Sequence, residues 1–256
     1  MKRKFARTSI ALAACALALH AGTALCADLK VFSTTAFTEL WQELKPKFEA
    51  RGHKLDLVLQ PSGAIGKRVA GGEAGDAIVS TTAGIEALDK AGKLAAGTTR
   101  ALATSGMGVA VLKGAPKPDI STPEAFRAAL LNAKSVAYSD PAGGGASGAV
   151  FEKILADLGI LEAVKSKAKL GRGISNAEFV IKGESDLAIQ QIPELTTTAG
   201  VDIAGPLPPP LQTVTGFAAA ALAGSKNPDG AKALVEFLAS PETLALLKSR
   251  GFDVKP

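Results

Sequence analysis

Three polar turns hold most of the residues in this chain that could do chemistry: Ser33-Thr34-Thr35, Pro61-Ser62-Gly63, and the run Ser139-Asp140-Pro141-Ala142-Gly143-Gly144-Gly145-Ala146-Ser147-Gly148. Each follows a short apolar stretch and precedes residues at helical spacing, so each reads as a strand leading into a helix. A helix N-terminus presents amide donors and partial positive charge, and small residues let a ligand approach the backbone. The chemistry this suits is the holding of an anion. Any single Ser or Thr here could equally be an ordinary helix cap, and it is the set of three turns that points to a site.

Other chemistries find less support. Gly143-x-Gly145-x-x-Gly148 has the spacing of a dinucleotide fingerprint, but it opens a late strand–helix unit of a chain that reads as exported, where nicotinamide cofactors are not expected. Gly66-Lys67 fails as a phosphate loop, because Pro61 stands where the first glycine should be and Arg68 where Ser or Thr should follow. Beyond residue 27 the one histidine is His53, in the polar turn Arg51-Gly52-His53-Lys54, and no cysteine remains. No metal, cofactor or disulfide is expected on that basis. With no Gly-x-Ser-x-Gly elbow, hydrolysis is disfavoured too.

The elements that must position the turns alternate. Strands are expected at Leu29-Lys30-Val31-Phe32, Leu55-Asp56-Leu57-Val58-Leu59 and Asp76-Ala77-Ile78-Val79, then at Val109-Ala110-Val111-Leu112, Ser135-Val136-Ala137-Tyr138, Leu187-Ala188-Ile189-Gln190 and 216–222. Between them Phe37, Leu40, Trp41, Leu44 and Phe48, and later Val150, Phe151, Ile154, Leu155 and Leu158, recur at helical spacing. Thr122-Pro123-Glu124, Asn227-Pro228-Asp229 and Ser240-Pro241-Glu242 read as capped helix starts. Such alternation predicts an α/β fold with parallel sheets covered by helices on both faces. Two lobes are expected rather than one domain: 28–108 plus 213–256 in the first and 109–212 in the second.

Residues 1–27 read as a cleavable secretory leader, with basic Lys2, Arg3, Lys4 and Arg7, an apolar run, and small residues around Ala24 to Ala27. The protein is therefore expected in the periplasm. Without that segment the chain has 25 basic and 24 acidic side chains, so the net charge of +5 falls to +1. That balance leaves nothing to support a nucleic-acid or membrane-surface partner, both of which need a concentrated basic patch. The remaining 229 residues suffice for a core without staples, and a monomer is expected.

Taken together, Val31-Phe32-Ser33-Thr34-Thr35-Ala36-Phe37, Pro61-Ser62-Gly63 with its basic helix, Asp76-Ala77-Ile78-Val79-Ser80, Ser139-Asp140-Pro141 with the glycine-rich turn, and the ending Arg250-Gly251-Phe252 resemble the periplasmic solute-binding proteins of ABC transporters. The resemblance is to the type II, molybdate-binding-like branch, a group that also includes periplasmic aconitate isomerase. It implies two α/β lobes joined by crossing strands, with a small anionic ligand clamped between them by hydroxyls and amides and passed to an inner-membrane permease. The site residues it implies are Ser33, Thr34, Thr35, Ser62, Gly63, Ser80, Thr81, Ser147, Gly148, Gln190 and Gln191. Against the molybdate binders, Ala36 stands for a serine and Gln190-Gln191 for a tyrosine. Two oxyanion donors are thereby changed, so an organic di- or tricarboxylate is the preferred ligand class, with Arg172 expected to grip a carboxylate in bidentate fashion. The alternatives are a cofactor-independent allylic proton shift on aconitate and a plain molybdate receptor. A proton shift needs a general base, for which Lys67, Tyr138 and the turn hydroxyls are candidates with no choice among them.

Overall fold

The computed structural model describes residues 28–254, so the expected leader lies outside the described residues. The first sheet runs in the order β2 (Lys54–Gln60), β1 (Asp28–Thr34), β3 (Ala77–Thr81), β10 (Thr215–Ala221), β4 (Arg100–Ser105). The second runs β7 (Ala168–Gly171), β6 (Val136–Ser139), β8 (Leu187–Gln191), β5 (Met107–Leu112), β9 (Val201–Pro206). Each sheet is the base of one lobe.

The expectation of parallel sheets needs correction. β1 is parallel to β2 and β3, and β6 to β7 and β8, yet β10 runs antiparallel to β3 and β4, and β5 to β8 and β9. The strands that break the rule are those by which the chain crosses between lobes. β5 enters the second sheet one residue after β4 leaves the first, and β10 returns after the 207–214 segment. Such a strand arrives with no helical crossover of its own to turn it parallel. Strands β4, β7 and β9 escaped the sequence reading; β7 has two exposed residues and β9 is only half-buried, so neither shows an apolar run.

Both faces of each sheet are covered. On β1, Leu29 and Val31 point into one core layer with Leu40, Trp41, Leu44 and Phe48 of α1 (Thr38–Glu49), while Phe32 points into the opposite layer with Ile65 and Val69 of α2 (Ser62–Ala70). This is the two-residue alternation of a strand buried on both sides. In the second lobe Tyr138 and Phe151 anchor one layer, and Ala177 and Val180 belong to the other. Thr122 caps α4 (Pro123–Asn132) and Ser240 caps α10 (Pro241–Ser249), each hydroxyl accepting from the amide three residues on. No helix among the described residues is long and apolar enough to cross a membrane.

Candidate functional site

The lobes meet across a cleft formed where strands end and helices begin. Thr34, Thr35, Ala36, Pro61, Ser62 and Thr81 line it from the first lobe. Ser139, Gly145, Ala146, Ser147, Gly171, Gly173, Ile174, Gln191 and Glu194 face them from the second, with Thr215 and Phe217 of β10. The cleft narrows to about 30 Å³, and Thr35, Ala36, Gly173, Ile174 and Glu194 also border an adjoining hollow of about 350 Å³. Ligand sites for drug-sized molecules run to roughly 300 Å³ and more. Entry therefore requires the lobes to part, by the hinge motion that two crossing strands permit.

A hydroxyl has one proton and two lone pairs, and counting them shows which side chains can donate to a ligand. Ser62 Oγ donates to Thr34 Oγ1 at 2.8 Å, so Thr34 keeps its own proton for the cleft. Across from it, Ser139 Oγ accepts from Asn176 Nδ2 at 3.1 Å and from Ser147 Oγ at 3.2 Å. Both lone pairs are engaged, and the Ser139 proton too is left for the cleft. Thr81, whose Oγ1 accepts from the Gly84 amide at 3.3 Å, likewise keeps its proton, so both lobes supply donors. Helix α5 (Ala146–Asp157) opens at Ala146 and Ser147, whose amides have no acceptor within the helix. The cradle is built of neutral donors, as suits a small anion.

Glu194 is the one carboxylic acid among the described residues that line the narrow cleft, and none of them is basic. It lies in α8 (Ile192–Thr196), directly after β8. Gln190 Nε2 donates to its Oε1 at 2.7 Å, while Gln190 Oε1 is held by the Asn176 amide at 2.7 Å. The Thr35 hydroxyl of the facing lobe lies near the same carboxylate. Burial pushes the Glu194 carboxyl up to about 7, against the downward pull of Gln190 and Thr35. Part of the residue stays open to the cleft.

Of the residues singled out from sequence, Thr34, Thr35, Ser62, Thr81, Ser147 and Gln191 reach the cleft. Ser33 and Ser80 do not. Strand alternation turns Ser33 under Trp41, whose Nε1 donates to it at 2.8 Å, and buries Ser80 beneath Gly84. Gly148 packs on the Ser139 carbonyl, Gln190 stands behind Glu194, and Gly63 meets Gly144 by a backbone bond of 3.1 Å. The Gln191 amide, oriented so that both ends find partners, donates to the carbonyls of Ser105 and Gly106 at 3.2 Å each and accepts from Thr215 Oγ1 at 2.9 Å. Its nitrogen is committed to the crossing segment.

The Arg172 expectation is corrected. Its Nε pairs with Asp140 Oδ2 at 2.6 Å, its side chain is 77% exposed, and it does not line the cleft. Burial pushes the Asp140 carboxyl up, but Arg172 and the Ala142 and Gly143 amides together hold it below its ordinary value. Neither Tyr138 nor Lys67 lines the narrow cleft: Tyr138 is buried in the core with its hydroxyl donating to Glu152 at 3.1 Å, and Lys67 borders a neighbouring groove that shares Ser62, Thr81, Gly145 and Ala146 with the cleft. Burial and the Glu152 bond raise the Tyr138 hydroxyl above its ordinary value. Thr215 and Glu194 are not among the residues expected from sequence, and Ser139 is expected only as part of its turn. A glutamate just after Pro193 reads from sequence as a favourable charge in a first helical turn, which masks its position.

The sequence profile of the bacterial extracellular solute-binding proteins matches residues 29–253. An aconitate isomerase from Pseudomonas sp is 33% identical over 235 residues, covering 89% of this chain and 88% of that protein. The molybdate-binding protein ModA of Azotobacter vinelandii is 28% identical over 270 residues, covering 96% of this chain and 100% of that one. Among solved structures, the periplasmic molybdate-binding protein of Azotobacter vinelandii superposes with a TM-score of 0.72 at 19% identity, over 89% of this chain and 100% of the other. The two-sheet architecture is accordingly that of the type II periplasmic binding proteins, and the chain belongs to the bacterial extracellular solute-binding proteins.

Proposed function

We propose that the protein binds a small organic polycarboxylate between its lobes and isomerises it by moving a proton along an allylic unit, as the name of the aconitate isomerase relative implies. The observation that carries this reading is the pairing of a narrow cradle of neutral donors with an adjoining hollow of about 350 Å³. One carboxylate head fits the donors of Thr34 and Ser139, and the rest of a branched acid extends past Glu194 into the hollow, where Thr38, Ser175, Thr197 and Thr198 offer hydroxyls and Glu178 is neutralised by Lys182. A single tetrahedral oxyanion would use the cradle alone. The 33% identity over nearly the whole of both chains supports the same substrate class. A second reading, a receptor that hands a small oxyanion to a permease, is favoured by the cradle's lack of any basic side chain and by the molybdate-binding relative.

Incubating the purified protein with trans-aconitate and following the cis isomer by proton NMR tests the proposal, with thermal shifts for citrate, both aconitates, sulfate and molybdate alongside. Conversion together with stabilisation by the tricarboxylates is expected. If molybdate alone raises the midpoint and trans-aconitate is returned unchanged, the receptor reading replaces it.

A further inference from the structure

We propose that Glu194 is the group that takes the proton from one end of the allylic unit and returns it to the other. This rests on the isomerase reading and adds the residue that the reading lacks. Glu194 borders both the donor cradle and the adjoining hollow, so it stands beside the body of a bound acid whose head is in the cradle. Its carboxylate is aimed by a neutral donor, Gln190 from behind at 2.7 Å, with the Thr35 hydroxyl of the facing lobe close by. Gln190 is fixed in turn by the Asn176 amide, and Asn176 by the Ile189 carbonyl at 3.3 Å. Because Thr35 belongs to the first lobe and Glu194 to the second, closing the cleft completes the setting of this carboxylate. The base is assembled only when the lobes meet.

A structural glutamate in such a place would be paired with a cation, since a buried unpaired carboxylate is costly. Glu194 has hydrogen-bond partners that are all neutral, and it faces a site built for an anion. The other carboxylates near it, Glu39 and Glu178, border the hollow and not the cradle, and Arg172 is engaged with Asp140 outside it. The carboxyl titrates close to neutrality, which matches a base that must also give its proton back.

The step balances without a cofactor. The carboxylate removes a proton from the methylene carbon, and the C–H electron pair enters the allylic system and spreads into the flanking carboxylate. That charge is met by the donors of Thr34 and Ser139, as an oxyanion is met by preorganised donors. The double bond migrates by one carbon, and the same carboxyl returns its proton to the far carbon. One C–H bond breaks and one forms, with no oxidant or water.

The test uses Glu194→Gln, which keeps the shape and one acceptor oxygen but cannot take a proton, assayed with trans-aconitate for binding by thermal shift and for turnover by proton NMR. Binding is expected to remain while turnover falls by roughly 100-fold or more, and in deuterium oxide the variant should lose the exchange of the methylene position expected of the wild type. The wild-type kcat/KM should fall on the acid side of about pH 7. Wild-type-like turnover in the variant overturns the role of Glu194 and leaves the isomerase intact; a wild type that binds trans-aconitate without converting it or exchanging its protons overturns the isomerase, and this role with it.

Discussion

Thr34 and Ser139 are two of the side chains whose protons the hydrogen-bond network leaves for the cleft, and they belong to opposite lobes. A hydrogen bond to a charged group contributes about 1.5 to 3 kcal/mol, so Thr34→Val and Ser139→Ala should each weaken anion binding by roughly tenfold or more in isothermal titration. Ser62→Ala acts indirectly, by freeing Thr34 to rotate, and should cost less than either. Equal losses would mean that Ser62 touches the ligand itself. Glu194 allows a second test. Its folded pKa of about 7 lies above the ordinary 4.5, so the native state binds this proton more tightly than the unfolded chain. The stability it contributes is fully present below about 4.5 and is lost as pH rises through 7. Glu194→Gln removes the buried charge, and urea denaturation should find the variant more stable than wild type at pH 8, by on the order of 2 kcal/mol, with little difference at pH 4.5. Gln190→Ala, which deletes a donor that lowers this pKa, should move the acid limb of the activity profile to higher pH.

At the scale of elements, the crossing segments and the glycine turn decide the geometry. Gln212 clamps the first crossing, its Oε1 accepting from the Met107 amide and its Nε2 donating to the Met107 carbonyl, both at 2.8 Å. Gly106 is kept free of a side chain because a Cβ there would come within 2.9 Å of Gln212. Removing the clamp leaves the Met107 amide without its acceptor, so Gln212→Ala should cost about 1 to 3 kcal/mol in urea denaturation. The motif Gly143-x-Gly145-x-x-Gly148 finds its explanation in packing. A Cβ on Gly148 would lie 1.8 Å from the Ser139 carbonyl and one on Gly145 2.8 Å from the Asp140 carbonyl. The glycines let α5 start hard against the end of β6, which is what delivers the Ala146 and Ser147 amides to the cleft.

For the whole molecule the central event is closure. Gly63 and Gly144, one on each lobe, meet by a backbone bond of 3.1 Å, and a Cβ on Gly144 would stand 2.6 Å from the Ala64 nitrogen. Gly144 also holds a φ of +86°, a region that glycine occupies at little cost. Gly144→Ala should therefore hold the lobes apart. Small-angle scattering in the presence of ligand should show a larger radius of gyration than for wild type, and the apparent affinity should drop in proportion to the lost closed population. In the wild type, a ligand at about 100 times its dissociation constant should stabilise the native state by roughly 2.7 kcal/mol, and Gly144→Ala should forfeit much of that gain.

What the sequence determined by itself was the α/β class, the two lobes, the amphipathic α1 and the capped starts of α4 and α10. All of these follow from apolar period and capping chemistry within a dozen residues. Also legible were the three polar turns that come together in the cleft, because hydroxyls and glycines after strands have few other uses. Only the tertiary structure decided which way each hydroxyl faces. Ser33 and Thr34 are neighbours of the same chemistry, yet strand pleating sends one under Trp41 and the other into the cleft. Arg172 looked like a ligand grip until Asp140, 32 residues away in sequence, claimed it. Glu194 became the focus of the site through burial and through Thr35 of the opposite lobe. Burial and long-range pairing depend on how the two lobes pack, and a local pattern of residue types carries no record of that.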